Sequence, residues 1–339
     1  MKKLKLGLLA ILMVVGIQAT AGGAFDISPD GNTVAYSGGN HVIYLLDAKT
    51  LTVKKRIRLE KNPSTSFDGI YSFSPDGKTF LYTSSWDILV YNTENWTLKR
   101  KVKKDGDIYL SDDHTKFVLY DDKKITIYDV NTATITKTIM TEIENRDVQN
   151  VSFSIDNSKL IVISDENDSK TEKKQSFSYK DFDGLSEKEE VEKRLKNDGK
   201  DLNYSIIDIA TAKVERSKTI WFSDYNIEVV ALPDNGFILG CGDGLIKIDA
   251  ADQITVYNVE GGNNFHYDAT NKLVIYTTSF CGLNVFNFEF NNEFELKNKY
   301  VSFTDDCLVH NGKYYVIFNE YCIATCTKEG NIVSPMPIY

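Results

Sequence analysis

Asp181, Asp183 and Gly184, followed by Glu190, overlap the spacing of a calcium loop, in which alternate carboxylates and a sharp glycine turn wrap one cation. The match is partial. Tyr179 stands at the first-ligand position, Ser186 replaces an apolar residue and no helix precedes, so an acidic turn leading into a helix explains the same residues. Zinc has no paired ligands here, since His41, His114, His266 and His310 show no His-x-x-x-His spacing. Nucleophilic hydrolysis lacks a Gly-x-Ser-x-Gly elbow, and Gly38-Gly39, Gly242-Asp243-Gly244 and Gly261-Gly262 precede no helix that could hold phosphate. No cofactor is expected. His41, in the first unit's turn between second and third strands, would act as a general base only by facing the channel; the loops of that face offer no evident nucleophile, and a surface turn histidine is the expected reading.

The five cysteines, Cys241, Cys281, Cys307, Cys322 and Cys326, all fall late in the chain, and an odd number leaves one unpaired within it. Cys322 and Cys326 lie four apart in a strand pattern, roughly 13 Å, too far for a disulfide. Buried thiols fit these positions, and neither C-x-x-C nor C-x-x-C-H is present.

The elements that must carry such residues are repeated. Phe25-Asp26-Ile27-Ser28-Pro29-Asp30-Gly31 leads into Thr33–Tyr36, Val42–Asp47 and Thr52–Ile57. Tyr71-Ser72-Phe73-Ser74-Pro75-Asp76-Gly77 opens a second copy that runs through Ile88–Asn92 to Thr97–Lys99. Five further copies follow, the fourth interrupted at 165–203. Pro-Asp-Gly and its Asx variants supply the positive φ of a tight turn, and Val/Ile/Tyr alternation gives half-buried strands. Asp47, Asp129 and Asp208, each with a threonine three residues on, predict a capped turn into a fourth strand. The 318 residues after Ala21, less the 39 of the interruption, leave about 40 for each of seven units, the length of a propeller blade. The pattern therefore predicts an all-β fold: a seven-bladed β-propeller of four-stranded antiparallel blades, one domain over 22–339.

These motifs resemble the YVTN and WD-repeat-like β-propeller family from Phe25 to Ile338. The Gly-His pair of WD repeats is missing, and Trp86-Asp87 begins a strand instead of ending one. The resemblance implies a fold shared by exported binding proteins, surface proteins, lactonases and redox-enzyme subunits.

Lys2, Lys3 and Lys5 precede an apolar run from Leu6 to Ile17 and the small triplet Ala19-Thr20-Ala21, the pattern of a secretory signal peptide over 1–21. The run is too short for a stable membrane span, so a chain exported to the periplasm, cell surface or medium is expected. Losing those three lysines takes the formal charge from −9 to −12, which disfavours nucleic acid as a partner. Lys54-Lys55-Arg56 and Lys99-Arg100-Lys101 fall on outer strands, where lysines discourage edge-to-edge pairing. In the interruption, Ser186 with Glu189 makes a capping box ahead of a helical run, predicting a charged, partly helical arm.

The expected function is non-catalytic binding of a protein or small ligand by a monomer. Turns joining second and third strands emerge beside the connections between blades, so His41, Trp86, Asp243, Phe280 and Tyr321 should share one face with Phe222 and Tyr225. Trp86 there is either a binding aromatic or a cover over its own hairpin. The alternatives are a lactonase-like hydrolase or redox subunit working at the channel mouth, and a purely structural surface protein.

Overall fold

A computed structural model describes residues 24–37, 42–58, 70–84, 86–121, 124–141, 146–166, 199–223, 227–241, 244–257, 262–268, 271–278, 283–287, 292–295, 304–310, 313–318, 322–326 and 332–337. All of its regular structure is β. The first sheet is β1 (Ala24–Ile27), β2 (Thr33–Ser37), β3 (Val42–Asp47) and β4 (Val53–Arg58). The second is β5 (Tyr71–Phe73), β6 (Thr79–Thr83), β7 (Asp87–Asn92) and β8 (Leu98–Lys103). The third holds β9 (Asp107–Leu110), β10 (Lys116–Asp121), β11 (Lys124–Asp129) and β12 (Ile135–Met140). In the fourth are β13 (Arg146–Phe153), β14 (Lys159–Glu166), β15 (Gly199–Asp208) and β16 (Lys213–Ser223). The fifth comprises β17 (Glu228–Ala231), β18 (Phe237–Cys241), β19 (Gly244–Ile248) and β20 (Ile254–Tyr257). The last two are β21 (Gly262–Asp268), β22 (Leu273–Thr278), β23 (Leu283–Asn287) and β24 (Asn292–Glu295), then β25 (Thr304–His310), β26 (Lys313–Phe318), β27 (Cys322–Cys326) and β28 (Ile332–Pro337). Each of these seven sheets is an antiparallel meander of consecutive strands.

Burial changes across each sheet. In β3 the four central residues are all buried, whereas in β4 only Ile57 is. A strand buried on both faces needs a neighbour on each side, and the neighbours are the adjoining sheets. Ile43, Leu45 and Ile57 pack with Phe73, Phe80 and Tyr82 of the second sheet. Leu81 and Ile88 meet Phe117 and Leu119, and Val118 and Ile127 meet Val151 and Phe153. Ile161 and Tyr204 join Phe237 and Leu239, while Ile238 and Leu245 join Phe265 and Val274. β25 then contacts both β21 and β1, so the succession closes on itself. The architecture is a β-propeller.

Two turn devices recur. Between first and second strands, the Ser28 hydroxyl donates to Asp30 at 2.6 Å and accepts from the Thr33 amide at 2.9 Å. Ser74 does the same with Asp76 and Thr79, Ser111 with Asp113 and Lys116, and Ser154 with Asp156 and Lys159. The position after the aspartate has φ of 68° at Gly31 and Gly77, 56° at His114 and 55° at Asn157. Between third and fourth strands, Asp47, Asp129 and Asp208 accept from the amides of Thr50, Thr132 and Thr211 at 3.0, 2.9 and 2.7 Å, the capped turn expected.

Outer-strand cations are structural here. Arg100 donates to the Thr132 carbonyl at 3.2 Å, Lys137 to Ala210 at 3.0 Å and Arg216 to Ala250 at 2.7 Å, each reaching the last turn of the next sheet. The fourth sheet is taller than the rest: β14 continues to Glu166 and β15 begins at Gly199, so strands occupy both ends of the 165–203 interruption. Residues 167–198, including the expected helix, and the leader at 1–21 lie outside the described residues.

Candidate functional site

Of the expected face, His41, Tyr225, Asp243, Phe280 and Tyr321 lie outside the described residues, as do Asp181, Asp183 and Glu190 of the calcium-like loop. Trp86 and Phe222 are described and differ sharply. Trp86 sits just before β7 and is 62% exposed. Its backbone is fixed: its carbonyl accepts from the Lys104 amide at 2.8 Å, while around it the Ser84 amide donates to the Asp87 carbonyl at 2.7 Å and the Asp87 amide to the Ser84 hydroxyl at 3.0 Å. Phe222 points inward, 1% exposed, into the cluster with Leu202, Ile220 and Ile227. Strand alternation then turns its neighbour outward, and Trp221 is 52% exposed. Trp221 was missed because an alternating strand with two adjacent aromatics must bury one, and the sequence does not say which.

A third apolar residue belongs with these two. Met140 ends β12 opposite Lys124, the first residue of β11, and is 68% exposed. Each of the three occupies the end of its sheet at which the second and third strands join. Trp221, opposite Asp201, lies on the rungs by which the fourth sheet exceeds its neighbours. The structure thus sets Trp86, Met140 and Trp221 at one end of three successive sheets.

The inner strands meet the opposite requirement, because one edge of each faces the channel and has no strand to pair with. Side chains from the preceding sheet fill part of that need. Asp26 accepts from the Phe73 amide at 2.6 Å, Glu228 accepts from the Phe265 amide at 2.9 Å, and Asn150 donates to the Ile227 carbonyl at 3.1 Å.

Ser72, His114 and Asp26 form the grouping closest to hydrolytic chemistry, one from each of the first three sheets. Ser72 Oγ is 3.0 Å and Asp26 Oδ2 3.5 Å from the same atom, His114 Nδ1. A relay needs serine and carboxylate on opposite ring nitrogens. Ser72 is moreover fully buried, with the Phe73 carbonyl also within 3.2 Å of its hydroxyl. The trio joins sheets, and both its serine and its carboxylate are buried. Between the fourth and fifth sheets, a cleft of about 190 Å³ is lined by Lys159, Glu215, Arg216, Leu232 and Asn235 among others. Its charges are matched in place, Lys159 to Glu215 at 2.7 Å and Arg216 to Asp252 at 3.0 Å. Among the described residues no three His, Cys, Asp or Glu side chains converge as metal ligands. Cys241 is buried, and no described helix is long and apolar enough to cross a membrane.

A scan against protein-family models finds no match, and a search of curated proteins finds none either. Among solved structures, the chain is similar to the Cps50 (Swd1) β-propeller domain from Myceliophteria thermophila, with a TM-score of 0.60 at 13% identity over 95% of this chain and 99% of that one. At that identity the likeness speaks to fold alone, and with the four-stranded meanders it supports a β-propeller.

Proposed function

We propose that this chain is an exported, seven-bladed propeller that binds a protein partner on the end of the ring carrying Trp86, Met140 and Trp221. In this reading each four-stranded sheet is one blade, the chain acts as a monomer, and residues 167–198 form an arm beside the docking face. The carrying observation is the exposure of those three side chains, at 62, 68 and 52%, on neighbouring sheets. Large exposed aromatics and methionine concentrate at protein interfaces, where a few of them supply most of the affinity. The YVTN resemblance and the leader pattern support export. Protein recovered from the envelope or medium should have the mass of a chain starting at Gly22; retention of Met1 in exported material defeats that part.

The binding test replaces the three residues singly by alanine. Each variant is tested for thermal unfolding and for recovery of cross-linked envelope partners under conditions in which the unsubstituted protein retains them. Loss of a specific partner with unchanged melting supports the docking face. Lowered melting with the same partners retained assigns the side chains to packing and removes the proposal. A lactonase-like or redox reading has less support, because Ser72 and Asp26 meet the same ring nitrogen of His114 and the charged groups of the sheet 4–5 cleft are ion-paired.

A further inference from the structure

His114 stands where Gly31, Gly77 and Asn157 stand in other sheets, at the left-handed position of the first turn. The turn itself is made by Ser111 and Asp113 and asks nothing of the imidazole. That ring instead reaches back across the second sheet to the carboxylate of Asp26 in the first. It is 30% exposed, and Asp26 is 4% exposed.

Asp26 accepts from the Ile27 amide at 2.7 Å with one oxygen and from the Phe73 amide at 2.6 Å with the other, so it is held as an acceptor. Ser72 Oγ lies 3.0 Å from the same Nδ1 and 3.2 Å from the Phe73 carbonyl. In the charged ring both nitrogens carry protons, so Nδ1 then donates toward Asp26 and Ser72. Gaining the second ring proton places a full positive charge 3.5 Å from a buried carboxylate. Losing it leaves the same carboxylate facing a neutral ring, without the opposing charge.

We infer that His114 is a proton-operated clasp, holding the first three sheets together more tightly when its imidazole is charged than when it is neutral. The charged and titratable groups facing it are Asp26 from β1 and Asp112 from its own turn; β5 contributes the neutral Ser72 and the Phe73 carbonyl. Burial works against the imidazolium, but Asp26, the Phe73 carbonyl and Asp112 outweigh it and raise its titration above the ordinary histidine value. Burial in turn pushes the Asp112 carboxyl up. A raised folded value means the added stability is complete below about pH 6.5 and is lost as pH rises through the folded midpoint.

The experiment compares thermal unfolding of the full chain and of His114→Asn at pH 6.0 and 8.5. Asparagine already occupies this left-handed position at Asn157. The unsubstituted chain should melt about 2 °C or more lower at pH 8.5 than at pH 6.0, and His114→Asn should lose that difference. Equal pH dependence in both chains overturns the clasp. Should the variant fail to fold, proton NMR of the imidazoles in the unsubstituted chain decides, with Asp26→Asn used to assign His114 by its shift: a His114 midpoint above 6.5 supports the clasp, and one at or below 6.5 overturns it.

Discussion

Gly240 of β18 lies so close to Phe265 of the next sheet that a Cβ there would come within 2.4 Å of the ring's Cζ and 2.5 Å of Cε2. Phe265 cannot swing aside, since it stacks on Tyr276 at 4.8 Å within a buried cluster. The bare backbone of Gly240 is what lets the fifth and sixth sheets meet. Gly240→Ala should therefore lower stability by about 1–3 kcal/mol through overpacking, read as a shift in denaturant midpoint at constant slope. An unchanged midpoint refutes the close fit.

The turn carboxylates set the acid limit. The Thr50 amide, with Lys54 and the Lys49 amide, lowers Asp47 to about 2, and the Ser154 hydroxyl, with the Ser158 amide and hydroxyl, lowers Asp156 to about 2. Asp30, Asp76 and Asp208 shift the same way, led respectively by the Ser28 hydroxyl, the Lys78 amide and the Thr211 hydroxyl. Depressed folded values give stability that is present above about pH 4 and lost between there and pH 2. Melting temperature should be level from pH 6 to 5 and fall steeply below 4. Asp47→Asn, which copies the natural Asn92 turn, should soften that fall; an identical acid limb counts against these turns as its origin.

Arg216 does more than its counterparts. It donates to the Ala250 carbonyl, pairs with Asp252 and lies over the Tyr204 ring at 5.7 Å. The Tyr204 hydroxyl also donates to Asp252, linking the fourth and fifth sheets. Arg216→Met should cost about 1–2 kcal/mol, whereas Lys137→Met, which loses one exposed bond, should stay within roughly 0.5 kcal/mol. Equal effects in urea unfolding show that the guanidinium contributes no more than a surface lysine.

Replacing residues 167–198 by a short Gly/Ser linker between β14 and β15 should keep the β circular dichroism and a single cooperative melt, because added loop length costs entropy only slowly. Loss of cooperativity places that segment in the core.

Much of this fold was legible because the turns are written in local chemistry. Ser28-Pro29-Asp30-Gly31 and Ser74-Pro75-Asp76-Gly77 marked the first hairpins, and Asp47 with Thr50 marked the last turn. What the sequence hid was which residues hold the turn: Ser and Asp form its bonds in four sheets, while the left-handed residue changes. Arg100 read as a guard against edge pairing because its target, the Thr132 carbonyl of the following sheet, is distant in the chain. Phe222 and Trp221 show the same limit. Alternation says that neighbours differ, and only packing says which one enters the core. Trp86 stood out because it falls at the turn joining second and third strands, where alternation does not decide which side chains are buried.

Gly31, Gly77, His114, Asn157, Asn235 and Lys272 all adopt left-handed backbone near the first turn of successive sheets, with φ between 55° and 68°. In the first four sheets Gly, His and Asn share this conformation because the Ser–Asp pair forms the bonds of the bend whichever of them follows. These sites form a circle of equivalent mounting points on one rim, and the choice of residue at each is decoupled from the geometry beneath it. An imidazole could be installed at one of them without redesigning the hairpin, and other reactive or affinity groups could be set around the same rim.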